Sequence, residues 1–337
     1  MKSVVWYGAY QARFGDAPKP VPKEGEALIK VAYAGICGSD ITIYSGKHWR
    51  AKPPMIPGHE FSGEIVEVNA AGTDLKPGDR VVVEPLLPCG KCHACLSGAY
   101  HVCTTLKLLG NDCDGGFAEY VTAPAHRVYH IPEGLGMQEA ALVEPASVAT
   151  HDVRRSNVKL GDHVVVLGGG PIGLLVAQVA RVASAQPVEI VEISDWRLEL
   201  ARKMGFVPID PKKVDTVEEV LRRTGGMGAD VLFDTAGAAS TSAQLAKLTK
   251  VHGQVMIVAM PKEFHPVDLA AFALKEIDLR GCRVYNADDY RAAINLIAEG
   301  KIDVKSMISH IMPLEQGVEG LELARKGDAS MKILLKP

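Results

Sequence analysis

Residues 163–184 constrain the fold more than any other stretch. An apolar run at 163–167 enters Gly168-Gly169-Gly170-Pro171-Ile172-Gly173 and leaves as an apolar helix over 172–184. A strand that feeds a helix through G-x-G-x-x-G is a βα turn of a parallel sheet. Gly168 permits the tight turn, Gly170 lets the backbone approach a pyrophosphate at the helix N-terminus, and Gly173 allows helix and strand to pack closely. Ile172 opens the helix within the same motif. The alternation then repeats, with strand 187–193 leading into helix 196–204, strand 231–234 into helix 240–249, and strand 254–259 following. That pattern predicts a parallel sheet with crossover helices. The glycines and Pro171 also break the most apolar stretch of the chain, 164–183, which reads as strand, turn and helix rather than a membrane span.

The second strand of this unit carries Glu192 near its end, about twenty residues beyond the glycines, where a carboxylate accepts hydrogen bonds from an adenosine ribose. A carboxylate there repels a 2′-phosphate, so NAD is expected over NADP. Arg197 can lie on the adenine face or begin a solvated helix face. Gly237, in DTAG after strand 231–234, stands at a carboxyl end of the sheet, where ligands gather, or serves as a plain turn glycine.

The chain before this point is organised differently. Short Val/Ile runs at 26–33, 60–68, 80–84 and 117–121 are broken by Gly and Pro, which predicts a β-rich domain, and the alternation of Val4 and Trp6 adds a first strand. Helices at 288–299 and 314–325 and an apolar segment at 331–335 close the chain. Its 337 residues suggest two domains at roughly 150 residues each. A net charge of −3 supplies no basic field for nucleic acid. Residues 1–10 show neither the long apolar run nor the small-residue cleavage site of a signal peptide, so the cytoplasm is the expected compartment.

Four of the seven cysteines, Cys89, Cys92, Cys95 and Cys103, stand as C-x2-C-x2-C-x7-C. Soft thiolates brought together by short loops match a closed tetrahedral zinc site, and with no open ligand position this zinc is structural. An iron–sulfur cluster also takes four cysteines, but no second cysteine group accompanies this one. Disulfides are the remaining alternative, which a cytosolic setting disfavours.

Cys37 in GICGSD, His59 and Glu60 in PGHEFSG, and Glu144 in LVEPASV are each unremarkable alone. Gly63 stands where the second histidine of H-E-x-x-H would be, which excludes the zincin arrangement. The ordered set GICGSD, PGHEFSGEIVEV, GDRVVVEP, the four-cysteine loop, GGFAEYV, VEPASVATHDVRR and VVVLGGGPIGLL resembles the zinc-dependent medium-chain alcohol dehydrogenases, closest to the sorbitol, butanediol and threonine dehydrogenase branch. The resemblance runs through almost the whole chain. It implies an α/β protein with a GroES-like β-rich catalytic domain, residues 1–146 completed by 286–337, and an inserted Rossmann domain with a doubly wound parallel sheet, residues 147–285. The active site is then expected in the cleft between them.

The resemblance also implies roles. Cys37 matches the thiolate ligand of a catalytic zinc, His59 the imidazole ligand and Glu60 the adjacent carboxylate. Glu144 stands where simpler alcohol dehydrogenases place a second cysteine and the polyol branch a glutamate. A carboxylate there makes the ligand shell more polar and can hold a zinc-bound water or a substrate hydroxyl. Tyr44 matches a pocket position of the polyol dehydrogenases, with plain packing as the alternative. Ser39 matches the hydroxyl that carries the substrate proton outward. Two positions depart from the family: Thr42 replaces the outer histidine of the proton relay, with His48 nearby in sequence, and Asn69 replaces a turn glycine.

The expected protein is therefore a two-zinc, NAD-dependent enzyme. It oxidises a secondary hydroxyl of a polyol or vicinal diol, works on a small molecule, and forms a homo-oligomer, dimer or tetramer. A dehydrogenase for threonine or a sugar phosphate is the alternative within the class, with Lys47, Arg50 and Arg283 as candidate phosphate partners. A non-catalytic NAD-binding redox sensor is the alternative outside it.

Overall fold

The apolar runs singled out in the second half of the chain form one sheet. In the computed structural model, which describes residues 1–261, 263–327 and 329–337, the chain divides into two compact units. One is Met1–Glu144 with Asn286–Pro337; the other is Pro145–Tyr285.

In the second unit six parallel strands stand in the order Val207–Ile209, Val188–Val191, Val164–Leu167, Ala229–Asp234, Thr249–Ile257, Asp278–Gly281. This is the doubly wound arrangement the strand–helix alternation implies. Val164–Leu167 is buried along its whole length, which explains why it reads as an unbroken apolar run instead of alternating, and Val188–Val191 is equally buried although it carries Glu189, which pairs with Arg223 at 3.4 Å. The strand order reverses between Val164–Leu167 and Ala229–Asp234, so their carboxyl ends border a ligand crevice. At that point Gly168 takes φ +99°, and a Cβ on Gly173 would lie 1.8 Å from the Gly168 carbonyl oxygen, so the turn tolerates only glycine there.

One expected element breaks. The helix read over 240–249 is two short turns, Ala239–Ser242 and Leu245–Leu248, after which Thr249 already belongs to a strand. The Thr241 hydroxyl donates to the Ala238 carbonyl and to Asp234, competing with a continuous helical ladder. No helix among the described residues is long and apolar enough to cross a membrane.

The first unit is built on the strand Glu26–Gly35. It pairs antiparallel with Glu60–Asn69 on one side, and with Tyr120–Pro124 and the terminal strand Lys332–Lys336 on the other. Leu334 stands opposite Gly35, and Gly35 opposite Glu60. The terminal strand therefore joins the sheet that Glu26–Gly35 begins, while Lys2–Gly8 and Gln11–Asp16 form a two-stranded sheet of their own. The expected first strand is Lys2–Gly8, and it buries Val4 and Trp6 as its alternation predicts.

Glu84, fully buried after the strand Arg80–Val83, accepts hydrogen bonds from Arg127 Nη1 at 2.6 Å, Tyr100 Oη at 2.8 Å and Tyr129 Oη at 2.9 Å. Burial and the Glu84 charge push both phenols above their ordinary range. Tyr100 lies between Cys95 and Cys103, so one carboxylate fastens the cysteine loop to the sheet. Glu84→Leu should destabilise the protein by about 3–5 kcal/mol, because it leaves the Arg127 charge buried without its counter-ion. Chemical denaturation measures this, and a change below about 1 kcal/mol would show that Glu84 is not the anchor.

Candidate active site

Beside the glycine turn lies a cavity of about 440 Å³ lined by Gly168, Gly170, Glu192, Arg197, Thr235 and Thr241, among others. Glu192 Oε2 accepts the Gly169 N–H at 2.9 Å, and Oε1 accepts those of Ile193 and Ser194 at 2.6 and 2.8 Å. Arg197 Nη1 stands 3.7 Å from Oε2. The carboxylate thus braces the glycine turn as well as facing the cavity. Gly237 is not among the lining residues. Its N–H donates to Asp234 Oδ1 at 3.0 Å, and with φ +58° it closes a turn tight against Ala259. Gly173 and Ile172 also stand outside the lining; Gly173 acts by the close packing already described. Thr235, which the motif reading passed over, donates to the carbonyls of Leu167 and Gly168 at 2.9 and 3.0 Å and so closes the carboxyl end of the first strand.

In the first unit the four cysteines of the loop bring their Sγ atoms within 4.8 Å of one another. Backbone N–H groups of Cys95 and Thr104 lower the Cys92 pKa to about 5, and those of Lys91 and Cys92 lower that of Cys89. Burial and the Cys92 neighbour push Cys95 up to about 12. Thiolates gathered this closely, with backbone donors turned toward them, suit a divalent soft cation.

The second cluster joins the ligand atoms of Cys37, His59 and Glu60 within 4.8 Å of one another. Local structure places them. Cys37 is the extended N-cap of the helix Gly38–Tyr44, directly after the strand Glu26–Gly35. His59 precedes the strand Glu60–Asn69, and the pairing of Glu60 with Gly35 brings the two segments side by side. Asp40 ties them: Oδ2 accepts the Cys37 N–H at 2.8 Å, while Oδ1 accepts the Gly58 N–H at 3.3 Å and lies 3.7 Å from His59 Nδ1. Burial alone lowers the His59 pKa, yet the adjoining Cys37 and Asp40 hold it well above its ordinary value. That surrounding favours a cation. A thiolate, an imidazole whose Nδ1 has no hydrogen-bond partner among the described residues, and a carboxylate fit zinc.

The other expected residues fall into place unevenly. Ser39 Oγ is buried, with no hydrogen-bond partner among the described residues. Glu144, 6% exposed in the first turn of the helix Val143–Arg155, is not one of the three residues in the tight cluster, but its charge acts on Lys332, which pairs with Glu60. Tyr44 is engaged elsewhere. Its ring meets Tyr10 edge-on at 5.5 Å, and its phenol, raised by burial, bonds to Glu322, so packing is the role its geometry supports. Thr42 Oγ1 donates to the Gly38 carbonyl at 3.0 Å. His48 Nδ1 accepts the Ala51 N–H at 3.0 Å, and burial and Arg50 lower its pKa. Lys332 and Asp40 were not foreseen. Asp40 sits three residues after Cys37, which is capping-box spacing, and Lys332 is a lone charge in an apolar run.

Family models agree with this architecture. Residues 23–133 match the alcohol dehydrogenase GroES-like domain and residues 171–299 the zinc-binding dehydrogenase domain. The chain belongs to the zinc-binding dehydrogenases and is an alcohol or polyol oxidoreductase. It is similar to 2-dehydro-3-deoxy-L-galactonate 5-dehydrogenase of Pseudoalteromonas atlantica, at 41% identity over 87% of this chain and 86% of that protein. It is 38% identical to sorbitol dehydrogenase of Halalkalibacterium halodurans, over 96% and 94%. Among solved structures, 2R,3R-butanediol dehydrogenase of Bacillus subtilis superposes with a TM-score of 0.93 at 33% identity, covering 100% of this chain and 99% of that one.

Glu192→Ala should reduce the preference for NAD over NADP by roughly tenfold or more, because a charge-assisted acceptor and a phosphate-repelling charge are lost together. Titration of both cofactors by fluorescence checks it. A preference for NADP in the unaltered protein would contradict the assignment.

Proposed function

We propose that this chain oxidises a secondary hydroxyl of a polyol or vicinal diol with NAD and reduces the corresponding ketone in reverse. The observation that carries the reading is the cluster of half-buried Cys37 with buried His59 and Glu60, and a second buried carboxylate, Glu144, in electrostatic reach of Lys332, the partner of Glu60. In this reading Cys37 and His59 would hold a catalytic zinc, with Glu60 and Glu144 exchanging around it as substrate displaces water, and Cys89, Cys92, Cys95 and Cys103 would hold a structural one. Bound there, the catalytic zinc supplies Lewis-acid polarisation of the reacting hydroxyl.

The chain's own groups supply the rest. Asp40 orients His59 through the segment it hydrogen-bonds. Ser39 Oγ, a buried hydroxyl with its hydrogen-bonding capacity unused among the described residues, receives the substrate proton and passes it outward. Glu144 accepts a second hydroxyl of the substrate, the feature that separates a diol from a simple alcohol. Gly168 and Gly170 border the cofactor cavity, where Glu192 takes the ribose and Arg197 flanks it. The names of the sorbitol and butanediol dehydrogenases among its relatives support this substrate class. A phosphorylated substrate is less well supported, because Arg50 is already committed to the Leu106 carbonyl at 2.7 Å and to Asp112 at 3.0 Å. A cytoplasmic homo-oligomer, dimer or tetramer, belongs to the same reading. Exposed Leu269 and Leu274 and half-exposed Leu279 on the edge strand Asp278–Gly281 support self-association.

Glu144→Ala should cost about tenfold to a hundredfold more kcat/KM with a vicinal diol than with a matched mono-alcohol, the worth of one charge-assisted hydrogen bond. Zinc content is measured on the same samples to separate recognition from metal loss. Equal losses on both substrates, with zinc retained, would favour a simple secondary-alcohol dehydrogenase.

A further inference from the structure

His48 has no part in the chemistry described above, although it follows Thr42, where the relay histidine is missing, by only six residues. After the helix Gly38–Tyr44 the chain doubles back: the Gly46 N–H donates to the Ile43 carbonyl at 2.8 Å and the Lys47 N–H to the Thr42 carbonyl at 3.0 Å. That reversal returns the segment carrying His48 to Thr42. The imidazole is half-buried, and the charges of Arg50, Asp112, Asp40 and His59 all act on it, so it stands within electrostatic reach of the Cys37 cluster.

Its two ring nitrogens differ. Nδ1 accepts the Ala51 N–H at 3.0 Å and the Arg50 N–H at 3.4 Å. Burial and the Arg50 charge favour the neutral ring, and a neutral imidazole that accepts at Nδ1 carries its proton on Nε2. Nε2 is thus a donor with no lone pair for a further proton. The neighbouring residues hold it in place: Arg50 Nη1 donates to the Leu106 carbonyl at 2.7 Å, Nη2 lies 3.0 Å from Asp112, and the guanidinium covers the Trp49 ring at 4.7 Å from its centroid. Trp49 is nevertheless 74% exposed, so its indole keeps an open face. An N–H donor and a flat apolar surface on adjacent residues match the hydroxyls and C–H faces that alternate along a polyol chain.

We propose that His48 and Trp49 form a subsite for the part of the substrate remote from the reacting hydroxyl, with His48 Nε2 donating to a further hydroxyl and Trp49 bearing the carbon chain, so that extended polyols are selected over short diols. The proposal rests on the reading that a secondary hydroxyl is oxidised at the Cys37 cluster. His48 then serves recognition and not proton transfer, and the proton leaves through Ser39 with no imidazole beyond it.

Steady-state kinetics with NAD on pentitols, hexitols and 2,3-butanediol tests this. In His48→Asn the amide oxygen stands near the position of Nδ1 and keeps the Ala51 N–H bonded, while the Nε2 donor is lost. This variant should lower kcat/KM for the best polyol by roughly three- to tenfold through KM, the worth of one neutral hydrogen bond, and leave that for butanediol within about twofold. His48→Gln, whose amide nitrogen reaches toward the position of Nε2, should recover most of the loss, and the pH dependence of kcat should stay unchanged in both. Trp49→Ala should repeat the selective loss, and because Trp49 is exposed it tests the subsite even where His48→Asn unsettles the loop.

Equal losses on polyol and butanediol would overturn the proposal. So would a His48→Asn enzyme whose kcat loses a limb of its pH profile, which would make His48 the proton acceptor, or an unaltered enzyme that oxidises butanediol as efficiently as every polyol. An unaltered protein that turns over none of these substrates contradicts the function proposed above, a result distinct from the loss of selectivity that removes the subsite alone.

Discussion

The pair between Lys332 and Glu60 is the interaction on which the arrangement of the first unit turns. Two opposite charges, 2% and 1% exposed, are stable inside a protein only when each satisfies the other. They lie 272 residues apart in sequence. To bring them together the terminal strand must dock on Glu26–Gly35, whose other edge already carries Glu60–Asn69. The same docking sets Gly35 beside Glu60 and delivers Cys37, two residues further on, to His59. A cluster of soft and anionic ligands is thus a consequence of strand register.

The same requirement accounts for the chain's organisation. The last strand joins a sheet whose first strand in sequence is Glu26–Gly35, so the first unit is made of two stretches of chain, with Pro145–Tyr285 lying between them in sequence. Within that unit the governing constraint is steric. Gly168, Gly173 and Thr235 let the first strand turn into its helix with almost no space between them, and Glu192 ties the turn to the neighbouring strand through the Gly169 N–H. A turn bordered by a carboxylate then lines the cavity proposed for the cofactor. Each unit derives its site from the geometry of strand ends.

What could be read from the sequence follows the range of the interaction concerned. The glycine turn was legible because each glycine answers a constraint imposed by residues within a few positions, and the four-cysteine loop because its ligands share 15 residues of chain. Cys37, His59, Glu60 and Glu144 carried no local signature and emerged only through resemblance to a family. Lys332 has no local signature because either lysine of MKILLK looks like a strand end until its partner is known. Tyr44 was read toward a pocket, yet its phenol is drawn to Glu322 of the helix Gly317–Lys326, a contact no local pattern reveals. The edge strands Val207–Ile209 and Asp278–Gly281 lack a signature for another reason: they are only partly buried, so their sequences VPI and DLRG need no apolar run like that of the similarly short, fully buried Val164–Leu167.

The account depends on two metal positions of different character in one chain: a closed one in the cysteine loop and an open one at Cys37. Metal content of the full-length protein, measured by atomic emission alongside turnover, tests this most directly. Two zinc ions per chain are expected, falling to one in Cys37→Ser with loss of turnover and retained fold, and to one in Cys92→Ser with loss of stability. Fully active protein with a single zinc per chain, or Cys37→Ser that keeps both, would contradict it.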